Sequence, residues 1–353
     1  NSMSTYREVK GYSIKKVDTD PANPKFGQVW YNNISKQIKV RTTTLASWAS
    51  GGTLNEHRGS LSTSPVGTQT ASICFGGQND NLSPPKRNAS EEYNGSSWTE
   101  GNNINTARYR IGAAGTQTAG LGFGGYTLPG QTANTEEYNG TSWSEQNNLA
   151  SVRSAPSGCG TQTAAVSIGG ATYSVPAGSA TLGLTEEYDG TSWTAGESIT
   201  PALSDAPASG VQGHSCVGTQ TAALVVGGNT GVTQNQVLTY DGTNYANTTA
   251  LPRGINGGFG CGIQTAAIVG AGSDGAGGGS GNRRLADTII WDGTSWTASP
   301  ASLATGRESP GSGGSSTAGL VFGGFTSAAP PFLDGSSEEF TGQVIATKTV
   351  DVS

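Results

Sequence analysis

Small and apolar residues recur in short runs along the chain, and each run lies between the same polar and glycine residues. The run in GTQTASICFGG (67–77) returns with few changes along most of the sequence. The other copies are GTQTAGLGFGG (115–125), GTQTAAVSIGG (160–170), GTQTAALVVGG (218–228), GIQTAAIVGAG (262–272) and SSTAGLVFGG (315–324). Apolar runs this short, bounded by turn-forming residues, predict strands.

A second recurring segment follows most of these copies and predicts a hairpin. Its copies are EEYNGSSWT (91–99), EEYNGTSWS (136–144), EEYDGTSWT (186–194), LTYDGTNYA (238–246) and IIWDGTSWT (289–297). The Asn-Gly and Asp-Gly pairs favour positive φ at both central positions of a hairpin turn. The aromatic residues on either side supply the packing area that glycine and alanine lack.

The spacing of the two segments defines one repeating unit. The last glycine of successive copies lies at 77, 125, 170, 228, 272 and 324, so the units are 44 to 58 residues long. Periods of this length are typical of propellers, solenoids and repeat arrays. Two strands from the first segment and two from the second predict an all-β fold of six blades, each a four-stranded antiparallel sheet.

The two ends of the chain supply complementary parts of one blade. SSEEF (336–340) matches a third strand but has no tryptophan after it, whereas SWAS (47–50) is an outer strand with no third strand before it. Pairing these two segments would close the propeller and remove its free edges. Two alternatives stay open: the hairpin QVWYNNISKQIKV (28–40) could begin a seventh blade or extend the closing one, and QVIATKTVDVS (343–353) competes for that place.

Composition and charge narrow the classes of protein further. The chain has 353 residues, 55 of them glycine, and only 12% are charged, which argues against coiled coils and helical bundles. A net charge of −6 argues against nucleic-acid binding, and no apolar run is long enough to predict membrane insertion. We expect residues 1–2 to be a cloning scar, 1–27 to be an N-terminal strap or mount without a signal peptide, and 28–353 to be the propeller.

The order of arginine, small-residue strand, Gly-Gly, Glu-Tyr and tryptophan resembles the kelch motif over about residues 45–340. This resemblance implies a six-bladed kelch-like β-propeller. The repeated arginines are Arg58, Arg108, Arg153, Arg253 and Arg307, and the repeated tryptophans are Trp48, Trp98, Trp143, Trp193 and Trp296. We expect each arginine to pair with a glutamate of the EEY segments, because both recur with the same period. The fourth unit departs from the motif, with Tyr245 in place of tryptophan, and the fifth has Ala271 in place of the first glycine.

The segments GTQTAA and EEYNGTSWT, together with MSTYREVKG and DPANPKFGQVWYN near the start, also resemble kelch-like structural proteins of marine bacteriophages, especially tailed viruses of cyanobacteria. This second resemblance implies a virion-associated or extracellular protein with a surface or attachment role.

The sequence favours a protein without catalytic residues, metal or other cofactor. A copper site like that of kelch-type oxidases needs two histidines and two tyrosines, and His57 and His214 occupy nonequivalent places in the repeat. His214 and Cys216 could share a strand face and bind a metal, although a structural role is favoured. The Glu-Glu pairs recur in four units, which favours a scaffold over a glycosidase pair. We expect the four cysteines to be buried thiols.

The segments between the double glycine and the third strand differ in length and sequence, and rigid scaffolds carry binding residues on such loops. Tyr126, Tyr173, Phe325 and Phe332 are the candidate ligand-binding residues, because aromatic side chains can stack on sugar faces. We expect an adhesion or decoration module that binds a host-surface glycan or protein. The alternatives are an assembly hub that binds a neighbouring virion protein, and a carbohydrate-active enzyme.

Overall fold

The computed structural model of the protein describes residues 14–25, 27–79, 87–128, 130–174, 178–203, 210–275, 284–326 and 333–350. The chain divides into two compact units, residues 1–46 with 343–353, and residues 47–342. Both units are built from β-strands, and the described residues contain no α-helix.

Residues 47–342 form six four-stranded antiparallel sheets, numbered here in chain order, and each sheet corresponds to one unit of the sequence repeat. Sheet 1 contains Gly67–Thr68, Ala71–Phe75, Ser90–Tyr93 and Trp98–Gly101; sheet 2 contains Gly112–Thr116, Ala119–Phe123, Thr135–Tyr138 and Trp143–Gln146; sheet 3 contains Ser157–Thr161, Ala164–Ile168, Thr185–Tyr188 and Trp193–Ala195. Sheet 4 contains Ser215–Thr219, Ala222–Val226, Val237–Tyr240 and Tyr245–Asn247; sheet 5 contains Phe259–Ile263, Ala266–Gly270, Asp287–Trp291 and Trp296–Ser302.

Sheet 6 takes its fourth strand from the beginning of the unit. It contains Gly311–Gly314, Ala318–Phe322, Ser337–Thr341 and then Ser47–Ser50, with Phe340 opposite Trp48. Two small two-stranded pairs and a short 3-10 helix complete the unit: Ala171–Ser174 with Gly178–Thr181, Arg307–Glu308 with Phe325–Thr326, and the helix Thr200–Ala202.

The hairpin near the N-terminus and the strand near the C-terminus pair with each other instead of competing for sheet 6. Their sheet has the order Lys15–Val17, Val29–Asn32, Gln37–Thr44 and Val344–Val350. Its first two strands are parallel, unlike any pair in sheets 1–6. Asp20 accepts hydrogen bonds from Trp30 and Asn32 and pairs with Lys39 at 2.6 Å, and these contacts, led by Lys39, lower the pKa of Asp20 to about 2.

Each outer hairpin turns through four residues rather than two. Tyr93 lies opposite Trp98, and between them the carboxamide oxygen of Asn94 accepts hydrogen bonds from the backbone N–H groups of Ser96 and Ser97 at 3.0 and 2.9 Å. Only Gly95 has a positive φ, of 88°. The expectation of positive φ at both turn positions is therefore wrong, because the Asn side chain stabilises a different turn in which only its glycine needs that conformation.

A buried arginine–glutamate ion pair joins the segment before the first strand to the third strand of the same sheet. Arg108 Nη2 lies 3.0 Å from Glu136 Oε1, and neither side chain is exposed. Arg108 Nη1 also donates to the carbonyls of Gly124 and Asn134. The equivalent pairs are Arg58–Glu91, Arg153–Glu186 and Arg307–Glu338. These bonds pair the two charges away from water and occupy both Nη groups of Arg108, while its Nε has no hydrogen-bond partner among the described residues. The pair therefore fixes the path of the chain into the sheet.

Arg253 is not a member of this set, and its assignment as the fifth repeated arginine is wrong. The position equivalent to Arg108 in sheet 5 is Ile255, two residues later, when the GIQTAA segment is aligned with GTQTAG. Arg253 instead pairs with the half-exposed Asp287 at 2.5 Å. In the two sheets without the ion pair both partners are apolar and buried: Val211 with Leu238, and Ile255 with Ile289.

The second glutamate of each pair and the glutamine of each GTQT turn bind a neighbouring sheet. Tyr188 donates to Glu137 at 3.0 Å, and burial followed by this bond raises the tyrosine pKa. Gln162 Nε2 donates to the carbonyls of Gly120 and Tyr138 at 3.0 and 2.7 Å. The equivalent tyrosine–glutamate bonds are Tyr93–Glu339, Tyr138–Glu92 and Tyr240–Glu187, and the other bridging glutamines are Gln69, Gln117, Gln220 and Gln264.

The repeated tryptophans close the outer edge of the contacts between sheets. The indole N–H of Trp98 donates to the Ser337 hydroxyl at 2.8 Å, and its ring packs against Phe322 with centroids 4.7 Å apart. Trp48, Trp143 and Trp193 make the equivalent bonds to Thr288, Ser90 and Thr135, whereas Trp296 donates to the carbonyl of Thr249. In sheet 4, the Tyr245 hydroxyl lies 2.7 Å from that of Thr185. Each aromatic side chain thus combines a large buried area with one specific hydrogen bond.

We expect Arg108→Ala to lower the free energy of unfolding by about 3–5 kcal/mol, because it leaves the Glu136 carboxylate buried and unpaired. The double variant Arg108→Val/Glu136→Leu, which copies the apolar pair of sheet 4, should recover much of this loss. Urea unfolding of both variants would measure the difference. Arg87→Ala is the control, because its ion pair with Glu56 is partly exposed and should contribute less than about 1 kcal/mol. Equal losses in the single and double variants would contradict the prediction.

Candidate functional site

The variable loops and the segments that lead into each first strand leave the sheets at the same end. In an antiparallel four-stranded sheet, the connection between strands two and three lies at the end where strand one begins. The two segments meet through single bridges such as Gly59 with Gln78, Tyr109 with Tyr126 and Ser154 with Ala171. We call this end of the six sheets the loop face.

A double glycine, replaced by Ala271-Gly272 in sheet 5, lets each lead-in segment approach the loop of another sheet closely. Gly124 and Gly125 have φ of +62° and +107°, and a side chain on Gly124 would place its Cβ 2.8 Å from the carbonyl oxygen of Arg153. Gly125 N–H donates to that same oxygen at 2.8 Å. The equivalent bonds are Gly77 to Arg108, Gly170 to Val211, Gly228 to Ile255, Gly272 to Arg307 and Gly324 to Arg58. The six lead-in segments are therefore held side by side.

These six segments surround a cavity of about 400 Å³ on the loop face. One equivalent residue from each sheet lines it, and all six have a positive φ between 51° and 64°: Ser60, Arg110, Ala155, Gly213, Gly257 and Ser309. Four of these residues are not glycine. For a residue with a side chain, a positive φ costs on the order of 1 kcal/mol, and such strained residues are common at functional sites. Backbone hydrogen bonds join several of them, for example from Arg110 N–H to Ser60 O at 2.9 Å.

A two-residue insertion in the first unit closes the floor of the cavity. Nine positions separate Arg58 from Gly67, whereas seven separate Arg108 from Gly115. The added length lets the Thr63 hydroxyl reach the carbonyl of His214, directly before the first strand of sheet 4, at 2.7 Å. Gly158 N–H in sheet 3 donates to Ser64 Oγ at 3.0 Å, and Val66 N–H donates to Ser312 O of sheet 6 at 3.0 Å. Sequence reasoning missed this floor, although a count of the residues before each GTQT would have found it.

A chain of polar side chains runs along one wall of the cavity. Arg110 Nη1 donates to the hydroxyl of Tyr173 at 2.7 Å, and this hydroxyl donates to Gln212 Oε1 at 3.0 Å. The three residues come from sheets 2, 3 and 4. The Tyr173 oxygen is therefore fixed between a cation and an amide, and the ring beside it is held in one orientation.

A carboxylate, Glu308, also lines the cavity. It lies close to Gly257, where an added Cβ would be 3.0 Å from its Cγ. Burial raises the pKa of Glu308, while the positive charges of Arg284 and Arg110 oppose that shift. Arg284 Nε lies 3.6 Å from the carboxylate, so Glu308 has a cationic partner of its own.

The aromatic residues singled out from the sequence have different surroundings. Tyr173 lines the cavity, and Tyr126 packs edge-on against it with ring centroids 6.1 Å apart. Phe325 is half-buried and covers Gly59, where a Cβ would be 2.7 Å from the phenyl ring. Phe332 lies outside the described residues. Two of the four candidates thus lie together, at or beside the cavity, and Phe325 packs against backbone.

Of the groups weighed as metal ligands, His214 and the cysteines are buried, whereas His57 is exposed. His214 precedes the first strand of sheet 4, is fully buried, and makes no hydrogen bond through either ring nitrogen to the residues described. Burial lowers its pKa to about 3. All four cysteines are buried and free, and burial raises the thiol pKa of Cys74 and Cys261 to about 12. Among the described residues, no three His, Cys, Asp or Glu side chains cluster closely enough to hold a metal.

The described part of the chain holds no helix that is long and apolar enough to cross a membrane. The sequence matches no protein-family model, and comparison with curated proteins finds no match either. Any functional conclusion therefore depends on the chemistry of the loop face.

We expect the His214→Leu variant to lose less stability than the wild type when the pH falls from 7 to 4. In the unfolded chain His214 binds a proton below its ordinary pKa of about 6.5, whereas in the folded chain it stays neutral until about pH 3. Between these values the free energy of unfolding of the wild type therefore falls by up to about 1.4 kcal/mol per pH unit. Urea unfolding at several pH values would measure the difference between the two proteins. Parallel pH profiles would contradict the prediction.

Proposed function

We propose that residues 47–342 form a six-bladed kelch-like β-propeller. Supporting this, the first strand of each sheet contacts the first strands of two other sheets, in a series that returns from sheet 6 to sheet 1. The bridging hydrogen bonds follow the same series, since Gln69 and Tyr93 of sheet 1 bind Phe340 O and Glu339 of sheet 6. The pairing of Ser47–Ser50 as the fourth strand of sheet 6 supports the closure expected of such a ring.

We further propose that the protein acts by binding rather than by catalysis, as an adhesion or decoration module whose ligand is a host-surface glycan. The observation that carries this proposal is the cavity of about 400 Å³ on the loop face, because pockets of this size with a few fixed polar groups are typical of ligand sites. Tyr173 offers a fixed aromatic face there, and Gln212 offers an amide that can bind sugar hydroxyls. The repeated carboxylates instead serve the scaffold through their bonds to arginine and tyrosine.

The likeness of the repeat to structural proteins of tailed marine phages supports a location on the virion or outside the cell. A virion component that faces its host needs a surface that can change while its scaffold stays constant. The loop face meets that need, because loops of different length leave six nearly identical sheets.

A second candidate is an assembly hub that binds a neighbouring virion protein. Exposed apolar side chains near the loop face favour it: Leu128 is 54% exposed and Val232 62% exposed, and both lie in the variable loops. Exposed apolar side chains can form the apolar centre of a protein interface.

We expect the purified protein to bind glycans of a host envelope saturably, and Tyr173→Ala to weaken this binding at least about tenfold, which is about 1.4 kcal/mol. A glycan array followed by titration of the best ligand would measure both. Thr141→Lys is the matched control, because Thr141 is exposed in an outer hairpin turn at the opposite end of sheet 2 and should leave binding unchanged.

Binding that is lost in the Thr141 variant but kept in the Tyr173 variant would contradict the loop-face assignment. Saturable binding to a virion protein, with no response to any glycan, would favour the assembly hub. Turnover of a bound glycan would overturn the proposal of a non-enzymatic protein.

A further inference from the structure

The loop-face cavity suits a narrower class of ligand than glycans in general. We propose that the cavity binds the terminal sugar of a glycan end-on and that this sugar carries a carboxylate. Arg110 would form an ion pair with that carboxylate. This inference rests on the proposed function, since it names the part of the glycan that the cavity takes.

The closed floor dictates end-on binding. Thr63 spans from sheet 1 to the His214 carbonyl of sheet 4, and Ser64 is tied to Gly158 of sheet 3. A glycan chain can therefore enter from the loop face but cannot pass through. A cavity of about 400 Å³ lies near the lower end of the range for small-ligand pockets, so it suits one or two sugar rings. An internal sugar would need two openings for its two linkages.

The charges around the cavity favour an acidic sugar. Among the described residues Arg110 has no carboxylate within ion-pair distance, and its side chain is exposed. The carboxylate that shares the cavity, Glu308, lies beside Arg284, which offsets its charge. Arg110 acts on Glu308 through its charge, which opposes the rise in the Glu308 pKa, but it has no direct carboxylate partner among the described residues. Desolvating a ligand carboxylate against it costs less than desolvating either charge alone.

The geometry of Arg110 suits a carboxylate in particular. Its Nη1 is held by the Tyr173 hydroxyl at 2.7 Å, and this bond restricts the orientation of the guanidinium plane. The described residues provide no hydrogen-bond acceptor for Nη2 or Nε. These two donors remain for a ligand, and a planar pair of N–H groups matches the two oxygens of a carboxylate.

The remaining polar groups suit the hydroxyls of a sugar ring. Gln212 uses its carbonyl oxygen to accept from Tyr173, which leaves its amide N–H groups as donors. Asn256 lines the same cavity, and its side chain makes no hydrogen bond to any described residue. One cation, two amides and one aromatic face from different sheets thus converge on a space the size of a sugar.

Isothermal titration calorimetry with D-galacturonate and D-galactose tests the charge part of the proposal, since the two sugars differ at one carbon. We expect the wild type to bind galacturonate at least about tenfold more tightly than galactose. Arg110→Gln should abolish this preference and Arg110→Lys should retain part of it, because lysine keeps the charge but not the paired donors. Arg87→Gln is the control, since Arg87 pairs with Glu56 and does not line the cavity. Equal affinity for the two sugars, or an unchanged preference in Arg110→Gln, would overturn the proposal.

Trigalacturonate and polygalacturonate test the end-on part. If only chain ends bind, the affinity per chain should be the same for both, whereas binding of internal sugars would raise it in proportion to chain length. The Tyr173→Ala variant separates this inference from the proposed function. Loss of envelope-glycan binding in that variant, together with no galacturonate preference in the wild type, would overturn the inference and leave the adhesion proposal standing. No binding to any glycan would overturn both.

Discussion

The buried arginine–glutamate pair determines where the chain enters each sheet, and the arrangement of the loop face follows from it. In sheet 2, Arg108 binds Glu136 and two carbonyls, while the second carboxylate oxygen of Glu136 accepts the N–H of Asn105, three residues before the arginine. The whole lead-in segment is thereby tied to the third strand. The residue two positions after the arginine then adopts a positive φ and lines the cavity. A charged pair buried in the scaffold thus positions residues that line the cavity.

The bonds within and between sheets change together where the repeat diverges. Sheet 4 lacks both the arginine and its glutamate, and it has Val211 and Leu238 in one apolar cluster instead. Sheet 5 has no glutamate to receive a tyrosine hydroxyl, since Ile290 takes that position, and the partner ring in sheet 6 is Phe340 rather than tyrosine. Replacing one partner alone would leave a buried polar group unsatisfied, which costs more than replacing both. The paired changes show that these contacts act as units.

Much of the fold could be predicted from the sequence because the repeat supplies several copies of each strand. The strands, the four-stranded sheets and the partner of Trp48 all follow from aligned segments. The misplaced Arg253 shows the limit of that method: it lies near the expected position by spacing, but Ile255 occupies the aligned one. The strand Val344–Val350 pairs with Gln37–Thr44 outside the repeat, where no second copy could indicate its partner.

The cavity was less accessible to sequence reasoning because it is built from what differs among the units. Gln212 and Glu308 follow directly after the position of the repeated arginine in their units, and Arg110 lies one residue further along. The residue types at these two positions differ from unit to unit, so the repeat pattern does not single them out. Their convergence depends on the shared path of the lead-in segments, and the closed floor depends on two extra residues in one unit. The surroundings of Phe325 and Tyr173 also differ. Phe325 packs over Gly59, whereas the hydroxyl of Tyr173 is held by two polar side chains. An aromatic residue in a variable loop therefore indicates a site only when polar neighbours fix its orientation toward open space.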